Sequence, residues 1–311
     1  MYEYLVPSWE AALKPEPAAK AEPLSALPPE SVEASAIDRT AKLYIGGKQA
    51  RPDGGYSYSV YGAKGKAIGQ AGLGNRKDIR NAVEAAAKAS GWSSATAHNR
   101  AQVLYYIAEN LSARAEEFTV RLRAMGQGAK DAKSEVDASL ARIFWYAAQA
   151  DKYDSRVHAT KSRHVTLAMN EPWGVMGLVC PDEMPLLGFI SLVMPAISMG
   201  NRVVVVPSPH QPLAATDLYQ VFDTSDVPGG VINIVTGERD ELAKTLAEHD
   251  EVAAMWYFGS NAKMVEAASA GNLKATWTGK RRDWLSREQG QGTEYLRRAV
   301  QLKNIWIPYG E

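Results

Sequence analysis

Gly174-Val175-Met176-Gly177-Leu178-Val179-Cys180, followed after an apolar helix-length stretch by Arg202-Val203-Val204-Val205-Val206, is the part of the chain that decides the fold. Both runs are too uniformly apolar to be half-exposed strands. The pattern then repeats: a helix reaches Met199 between the two runs, a second spans Pro212 to Phe222, and Val231 to Val235 reads as the next strand. A helix from Asp240 to Glu248, a strand from Val252 to Tyr257 and a helix from Asn261 to Ala270 complete the series. Runs of β-branched residues alternating with helices predict a doubly wound α/β domain, its parallel sheet covered on both faces.

Upstream, Leu43-Tyr44-Ile45-Gly46-Gly47-Lys48 and the alternating pieces around Tyr56 to Tyr61 and Ala67 to Gly72 predict small strands or hairpins. Long helices follow. Ile79, Val83, Ala86 and Ala87 recur at helical spacing, as do Val103, Leu104, Ile107, Leu111 and Ala115. A third helix, Ala132 to Tyr153, carries Val136, Leu140, Ile143, Phe144 and Ala147 on its inner face. After Asp154 the period falls to near two through Val157, Ala159, His164, Val165, Leu167 and Met169, the mark of an extended segment or hairpin. Residues 1–38 combine Met1-Tyr2-Glu3-Tyr4-Leu5 with a tract holding Pro15, Pro17, Pro23, Pro28 and Pro29 among Ala and Glu. Such a tract buries too little apolar surface to offset its ordering entropy and reads as an extended linker.

The 311 residues are enough for a substantial core, and 35 Lys plus Arg balance 35 Asp plus Glu. Without a basic excess, neither nucleic acid nor an anionic membrane surface is an expected partner. The single cysteine, Cys180, forms no internal disulfide and no signal peptide opens the chain, so a reducing cytoplasm is the expected compartment. The apolar stretch Met184 to Met199 is broken by Pro185, Gly188, Ser191, Pro195 and Ser198, which suits a buried helix rather than a membrane span. His98, His158, His164, His210 and His249 show no ligand spacing, and no metal site is expected.

The ordered series Glu171-Pro172-Trp173-Gly174-Val175-Met176-Gly177, Pro181, Pro185-Leu186, Pro195-Ala196 and Gly200-Asn201 resembles the signature stretch of the aldehyde dehydrogenase superfamily. Val227-Pro228-Gly229-Gly230-Val231-Ile232-Asn233-Ile234-Val235-Thr236-Gly237, Phe258-Gly259-Ser260 and Asn272-Leu273-Lys274 extend the resemblance in order and spacing. It implies a Rossmann-like fold and oxidation of aldehydes to acids with NAD or NADP. In that chemistry a cysteine thiolate attacks, an asparagine amide holds the oxyanion and a glutamate activates water.

Carried over residue by residue, the chemistry is missing. The family's Pro-Trp-Asn-Phe-Pro reads Pro181-Asp182-Glu183-Met184-Pro185, which puts the carboxylate of Glu183 at the oxyanion position, where it repels developing negative charge. Asn272-Leu273-Lys274 continues through Ala275-Thr276-Trp277-Thr278 to Gly279-Lys280 without the general-base glutamate. Beyond Lys280 only Arg281 to Thr293 stands where the family inserts its catalytic domain, so that domain is read as missing. Cys180, at the end of an apolar strand, reads as a packing residue in preference to a displaced nucleophile.

The family's Lys-Pro-Ser-Glu, which holds the adenosine ribose, reads Val206-Pro207-Ser208-Pro209, and glycines expected after Gly237 are replaced by Arg239 and Ala243. Gly237, Gly259 and Ser260 remain as vestigial cofactor-binding positions. The last two precede a helix, where they read either as a cap or as an anion contact. No cofactor is therefore expected, and NAD or NADP is the ligand if any binding survives.

The tail from Glu294 to Pro308 is similar to the family's terminal strand, which implies an oligomerisation arm built with Val157 to Met169; a strand folded back within the monomer is the alternative. The expected organisation is residues 1–38 as the end of a preceding module plus linker, 39–155 with 171–280 as the nucleotide-binding-like domain, and 156–170 with 293–311 as the arm. Pro181-Asp182-Glu183, Met255-Trp256-Tyr257-Phe258-Gly259-Ser260, Ala270-Gly271-Asn272-Leu273-Lys274 and Trp306-Ile307-Pro308-Tyr309-Gly310 resemble the carboxyl-terminal half of aldehyde dehydrogenase family 16. That resemblance implies a degenerate second module, with Met1 an internal start. The expected role is non-catalytic: a homodimer, or a buttress for an amino-terminal catalytic aldehyde dehydrogenase module. An NAD(P)-dependent aldehyde oxidoreductase and a nucleotide sensor are the alternatives.

Overall fold

The computed structural model describes residues 39–279 and 281–308. The expected linker, Lys280 and the Tyr309-Gly310 ending lie outside them. The described chain opens with β1 (Leu43–Ile45) and β2 (Lys48–Ala50), then β3 (Ser57–Tyr61) and β4 (Ala67–Gly72). Helices α1 (Arg76–Lys88), α2 (Gly91–Ser94), α3 (Ala97–Ala113), α4 (Ala115–Ala124) and α5 (Ala129–Gln149) follow. Two extended strands, β5 (Arg156–His158) and β6 (His164–Pro172), lead into the alternating half. That half runs β7 (Val175–Val179), α6 (Pro185–Ser198), β8 (Arg202–Val206), α7 (Leu213–Asp217), α8 (Tyr219–Asp223) and β9 (Ile232–Ile234). It continues with α9 (Arg239–Glu248), β10 (Val252–Tyr257), α10 (Ala262–Ala268) and β11 (Ala275–Thr278), and the chain closes with α11 (Thr293–Arg298) and β12 (Val300–Pro308).

The main sheet has seven strands in the order β11-β10-β7-β8-β9-β1-β2. The five alternating strands are parallel, as the apolar runs require. The sheet as a whole is mixed, which corrects the all-parallel expectation: the β1–β2 hairpin joins β9 antiparallel, with Tyr44 opposite Ile234. Strand alternation sorts the core. Val175, Val179, Val204 and Val206 face α1 and α9, whereas Met176, Leu178, Val203 and Val205 face the larger cluster with α3, α5 and α6. The path turns at β7, with β8 and β9 on one side and β10 and β11 on the other, so the switch point, where sheets of this kind form a ligand crevice, lies at the carboxyl ends of β7 and β10.

Helix α6 is buried along its whole length, Pro185 occupying its first turn and Met184, left-handed at φ 51°, turning the chain into it. Its first N–H groups have no water to bond. Glu135 of α5 meets them, accepting from Leu186 N at 2.8 Å and Leu187 N at 3.0 Å, while Gln127 Nε2 donates to its other oxygen at 2.6 Å. One turn further in, Arg142 Nη1 donates to Ser191 Oγ at 2.6 Å and ties α5 to α6 again. No described helix is long and apolar enough to cross a membrane.

Three expectations shift. Pro212 to Phe222 is not one helix but α7 and α8, and α5 ends at Gln149 rather than Tyr153. Residues 293–298 belong to α11, not to the arm: Tyr295 and Leu296 are apolar neighbours on its inner side and are fully buried against α6. The tail strand starts at Val300 and pairs antiparallel with β6 along its entire length, from Val300 opposite Pro172 to Pro308 opposite His164. With β5 on the far side of β6 this makes a separate three-stranded sheet, the strand folded back within the same chain.

Glu135 provides the first test. Burial raises its pKa against the opposing hydrogen bonds of Leu187, Gln127 and Leu186. The folded state then holds the proton more tightly than the unfolded chain, so this group's contribution falls as pH rises from the unfolded value through the raised folded one. Glu135→Ala is expected to lose about 2 kcal/mol or more in urea melts, because two buried N–H groups are left unpaired. Glu135→Gln is expected to stay within about 1 kcal/mol and to remove the pH slope. Its amide matches the unpartnered Oε1 of Gln127 once that side chain turns.

Candidate functional site

At the carboxyl end of β7 the chain passes Cys180 and Asp182, and at the end of β10 it passes Phe258, Gly259 and Ser260. Helix α9 starts beside both. Asp182 accepts two hydrogen bonds from Arg239, one from Nη1 at 2.8 Å and a very short one from Nη2, and a third from Ser208 Oγ at 2.6 Å. Gln211 N donates to Ser208 Oγ at 3.2 Å, so the hydroxyl proton is aimed at the carboxylate. Burial opposes ionisation of Asp182, but the bonds and charge of Arg239, with Ser208, outweigh it and hold the carboxyl below its ordinary value. Burial likewise opposes the charge on Arg239, and Asp182 reverses that effect. A planar guanidinium meeting both carboxylate oxygens is the strongest common form of this pair.

The other side of α9 is fastened as well. Tyr257 Oη donates to Asp240 Oδ1 at 3.0 Å and accepts from Asn261 N at 3.0 Å, while Asn261 Nδ2 donates to Asp240 Oδ2 at 3.1 Å. The N–H that would greet an anion after Ser260 is therefore taken by Tyr257. Ser260 itself is exposed, and α10 is a seven-residue helix whose N-cap is Asn261, without a side-chain cap bond. This corrects the reading of Ser260 as a cap.

Gly237 and Gly259 are glycines for contacts within the chain. Gly237 has φ 150°, and a Cβ there would lie 2.9 Å from Gly74 O, where the strand end packs on the turn after β4. A Cβ on Gly259 would lie 2.5 Å from Tyr257 Oη and 2.9 Å from Arg239 Cδ, so the space that the missing side chain leaves is filled by Arg239. Val206 of β8 and Ala243 of α9 belong to one core cluster with α1, and Pro209 is buried beside Ser208.

Glu183 and Cys180, the two residues weighed against the family's chemistry, have different surroundings. Glu183 faces the exposed Arg281 at 3.5 Å, a screened surface pair. Cys180 is buried, and burial pushes its thiol far up, Arg239 opposing this and Asp182 adding to it, which disfavours the thiolate. Among the described residues no group of His, Cys, Asp and Glu could hold a metal ion.

The sequence reading missed an aromatic cluster on the face of the sheet edge that includes β11. Trp256 and Trp277 meet edge-on at 5.0 Å, Trp277 and Tyr295 at 5.1 Å, and Phe258 and Trp284 at 5.3 Å. Arg298 and Arg282 lie over the Trp277 ring at 4.5 and 4.9 Å. Trp284 comes from the connection between β11 and α11 and is 2 % exposed, an anchor in a connection whose described residues are otherwise mostly exposed. The alternate aromatics Trp256 and Phe258 were the available signal.

A profile of the aldehyde dehydrogenase family matches residues 35–278. The chain belongs to that family. It is 30% identical over 213 residues to the NADP/NAD-dependent aldehyde dehydrogenase PuuC of Escherichia coli, covering 66% of this chain and 43% of that protein. It is also 30% identical over 248 residues to hydroxyisobutyraldehyde dehydrogenase of Mycolicibacterium austroafricanum, covering 78% and 49%. Among solved structures, the NAD-dependent aldehyde dehydrogenase of Sinorhizobium meliloti superposes with TM-score 0.74 at 25% identity, covering 78% of this chain and 50% of that one. An NAD+ complex of aldehyde dehydrogenase from Bacillus cereus has the same fold, with TM-score 0.74 at 23% identity and coverage of 78% and 51%. This family member thus spans about half the length of the relatives it matches.

Two outcomes check the site. Native protein is expected to show no reaction of Cys180 with a thiol reagent such as Ellman's at pH 8, and one thiol per chain after denaturation. Gly259→Ala is expected to lose about 1–3 kcal/mol of stability in chemical denaturation, because Tyr257 and Arg239 occupy the space a methyl needs.

Proposed function

We propose that this aldehyde dehydrogenase homologue is a non-catalytic structural module, which dimerises or buttresses a catalytic aldehyde dehydrogenase module, and that it corresponds to the degenerate carboxyl-terminal module of aldehyde dehydrogenase family 16. One observation carries the non-catalytic part: the only cysteine in the sequence is Cys180, and it is buried where burial pushes its thiol far up. Glu183 at the oxyanion position and the shortness of the connection from β11 to α11, where the family resemblance implies a catalytic domain, support it. The unit is then a nucleotide-binding-like domain of residues 39–155 and 171–280, extended by α11, with an arm of residues 156–170 and 300–308. No cofactor is assigned, because Arg239 and Asp182 pair across the crevice and Val206 and Pro209 supply no ribose contact. Gly237, Gly259 and Ser260 are vestigial positions, and a cytoplasmic location is part of the same reading.

The arm supports the partner half of the proposal. Register places Val157, Val165, Leu167, Met169, Ile305 and Ile307 on one face of its sheet, and Val157 is 72 % and Ile307 46 % exposed. An apolar strip on a sheet with free edges is suited to another protein surface. The partner is a second copy or the amino-terminal catalytic module.

The second reading, an NAD(P)-dependent aldehyde oxidoreductase, is favoured by family membership and by relatives with that activity in their names. Incubation of the purified chain with NAD or NADP and a panel of aldehydes decides between the two. No formation of reduced nicotinamide is expected, and turnover abolished by Cys180→Ala overturns the non-catalytic reading. NAD binding by calorimetry without turnover would favour a nucleotide sensor instead. Sedimentation equilibrium tests the arm: a concentration-dependent dimer, or a complex with a catalytic module, is expected to weaken at least about tenfold in Val165→Asp or Ile307→Asp. A chain that stays monomeric and binds no catalytic module sinks the partner assignment.

A further inference from the structure

Arg142, on α5, is only 2 % exposed, yet among the described residues no carboxylate forms an ion pair with it. Its Nη1 donates to Ser191 Oγ at 2.6 Å. The Ser191 hydroxyl proton is itself donated to Leu187 O at 2.5 Å, so Ser191 meets the guanidinium as a neutral acceptor. Arg142 Nε is buried without a hydrogen-bond partner. One helical turn on, the fully buried Tyr146 presents a second orphan, its hydroxyl. A guanidinium stays protonated at any ordinary pH, and a buried one without a counter-charge is strongly unfavourable.

The surroundings do not supply that charge. Burial opposes the cation, and Asp283, which offsets this in part, is an exposed residue whose carboxylate accepts from Leu285 N and Ser286 N. Tyr295, also within Coulombic reach of Arg142, donates its hydroxyl proton to Gln289 O at 2.7 Å. Arg282 donates to the same oxygen at 2.9 Å and adds positive charge on that side, shared with Glu294 at 3.6 Å. The connection from β11 to α11 closes the place from outside: a Cβ on Gly290 would lie 2.4 Å from Trp284 O and 2.8 Å from Arg142 Nη1.

We infer that Arg142 and Tyr146 form a buried halide site, in which Arg142 Nε and the Tyr146 hydroxyl are the donors and chloride is the counter-ion that the fold does not provide from its own side chains. The enclosure selects the ion. Phosphate and sulfate carry more charge to desolvate and have more oxygens than two orphan donors satisfy, whereas a monatomic, monovalent ion needs the least room. A water oxygen would accept from both donors but leave the guanidinium uncompensated. Such a site is independent of whether the chain oxidises aldehydes.

Thermal unfolding of the full chain in sodium chloride and in sodium gluconate of equal ionic strength tests the site. The unaltered chain is expected to melt at least about 2 °C higher in chloride, because the ion binds only the folded state. Arg142→Met, which fills similar space without the charge, is expected to melt equally in both salts, and Tyr146→Phe to show a smaller gain than the unaltered chain. Crystals of the unaltered chain grown in sodium bromide are expected to show an anomalous difference peak in contact with Arg142 Nε and Tyr146 Oη. That measurement needs no variant and carries the test where Arg142→Met does not fold. Equal melting of the unaltered chain in the two salts, a gain that persists in Arg142→Met or is undiminished in Tyr146→Phe, or a site without bromide signal overturns the assignment.

Discussion

A helix with no exposed residue must satisfy its first N–H groups without water, and α6 does so through the carboxylate of Glu135 on a neighbouring helix. Much else follows from that contact. It positions α5, and Arg142 on the same helix adds a second tie to Ser191. It holds the start of α6 where Met184 turns the chain in a left-handed conformation. The loop between β7 and α6 is thereby placed, and with it Asp182 at the mouth of the crevice. The apolar surround is large: Leu186, Leu187, Phe189, Ile190, Leu192, Val193, Met194 and Ile197 are all fully buried. Each such side chain contributes about 1.5–3 kcal/mol relative to exposure, so the helix has no favourable alternative position.

At the carboxyl ends of β7 and β10 the polar groups are paired within the chain. Asp182 pairs with both terminal nitrogens of Arg239 and with Ser208, and Tyr257, Asp240 and Asn261 bond one another on the other side of α9. Gly237 and Gly259, which a motif reader assigns to phosphate approach, serve backbone packing on Gly74 and the stem of Arg239. The same residue type meets the same steric demand, and only the neighbour differs.

Near β11 the chain closes on itself. Trp284 and Tyr295 join Trp256, Phe258 and Trp277, and two arginines lie over the Trp277 ring. This cluster gives the short connection to α11 a buried anchor, and α11 then delivers β12 to β6. The arm sheet is in this sense a consequence of aromatic packing: without α11 seated against α6, β12 would have no fixed origin.

How far the chain can be read without its structure depends on the range of the interactions involved. The apolar runs at Val175 and Val203 determined the parallel strands, since no other position accepts such residues, and the period near two after Asp154 determined an extended arm. The family-like order of glycines and prolines pointed to the family to which the chain belongs, and Cys180 at a strand end was legible as a packing residue. Polar contacts across long sequence distances were not legible: Asp182 and Arg239 are 57 positions apart, and Glu135 and Leu186 are 51 apart. The antiparallel edge hairpin was also decided in three dimensions, because β1 is too short for its pattern to specify a partner. So was α11, whose helical character depends on burying Tyr295 and Leu296 against α6. Local pattern determined which residues go inside, and only the tertiary structure decided which buried polar groups meet, because that choice minimises unsatisfied donors over the whole fold rather than along the chain.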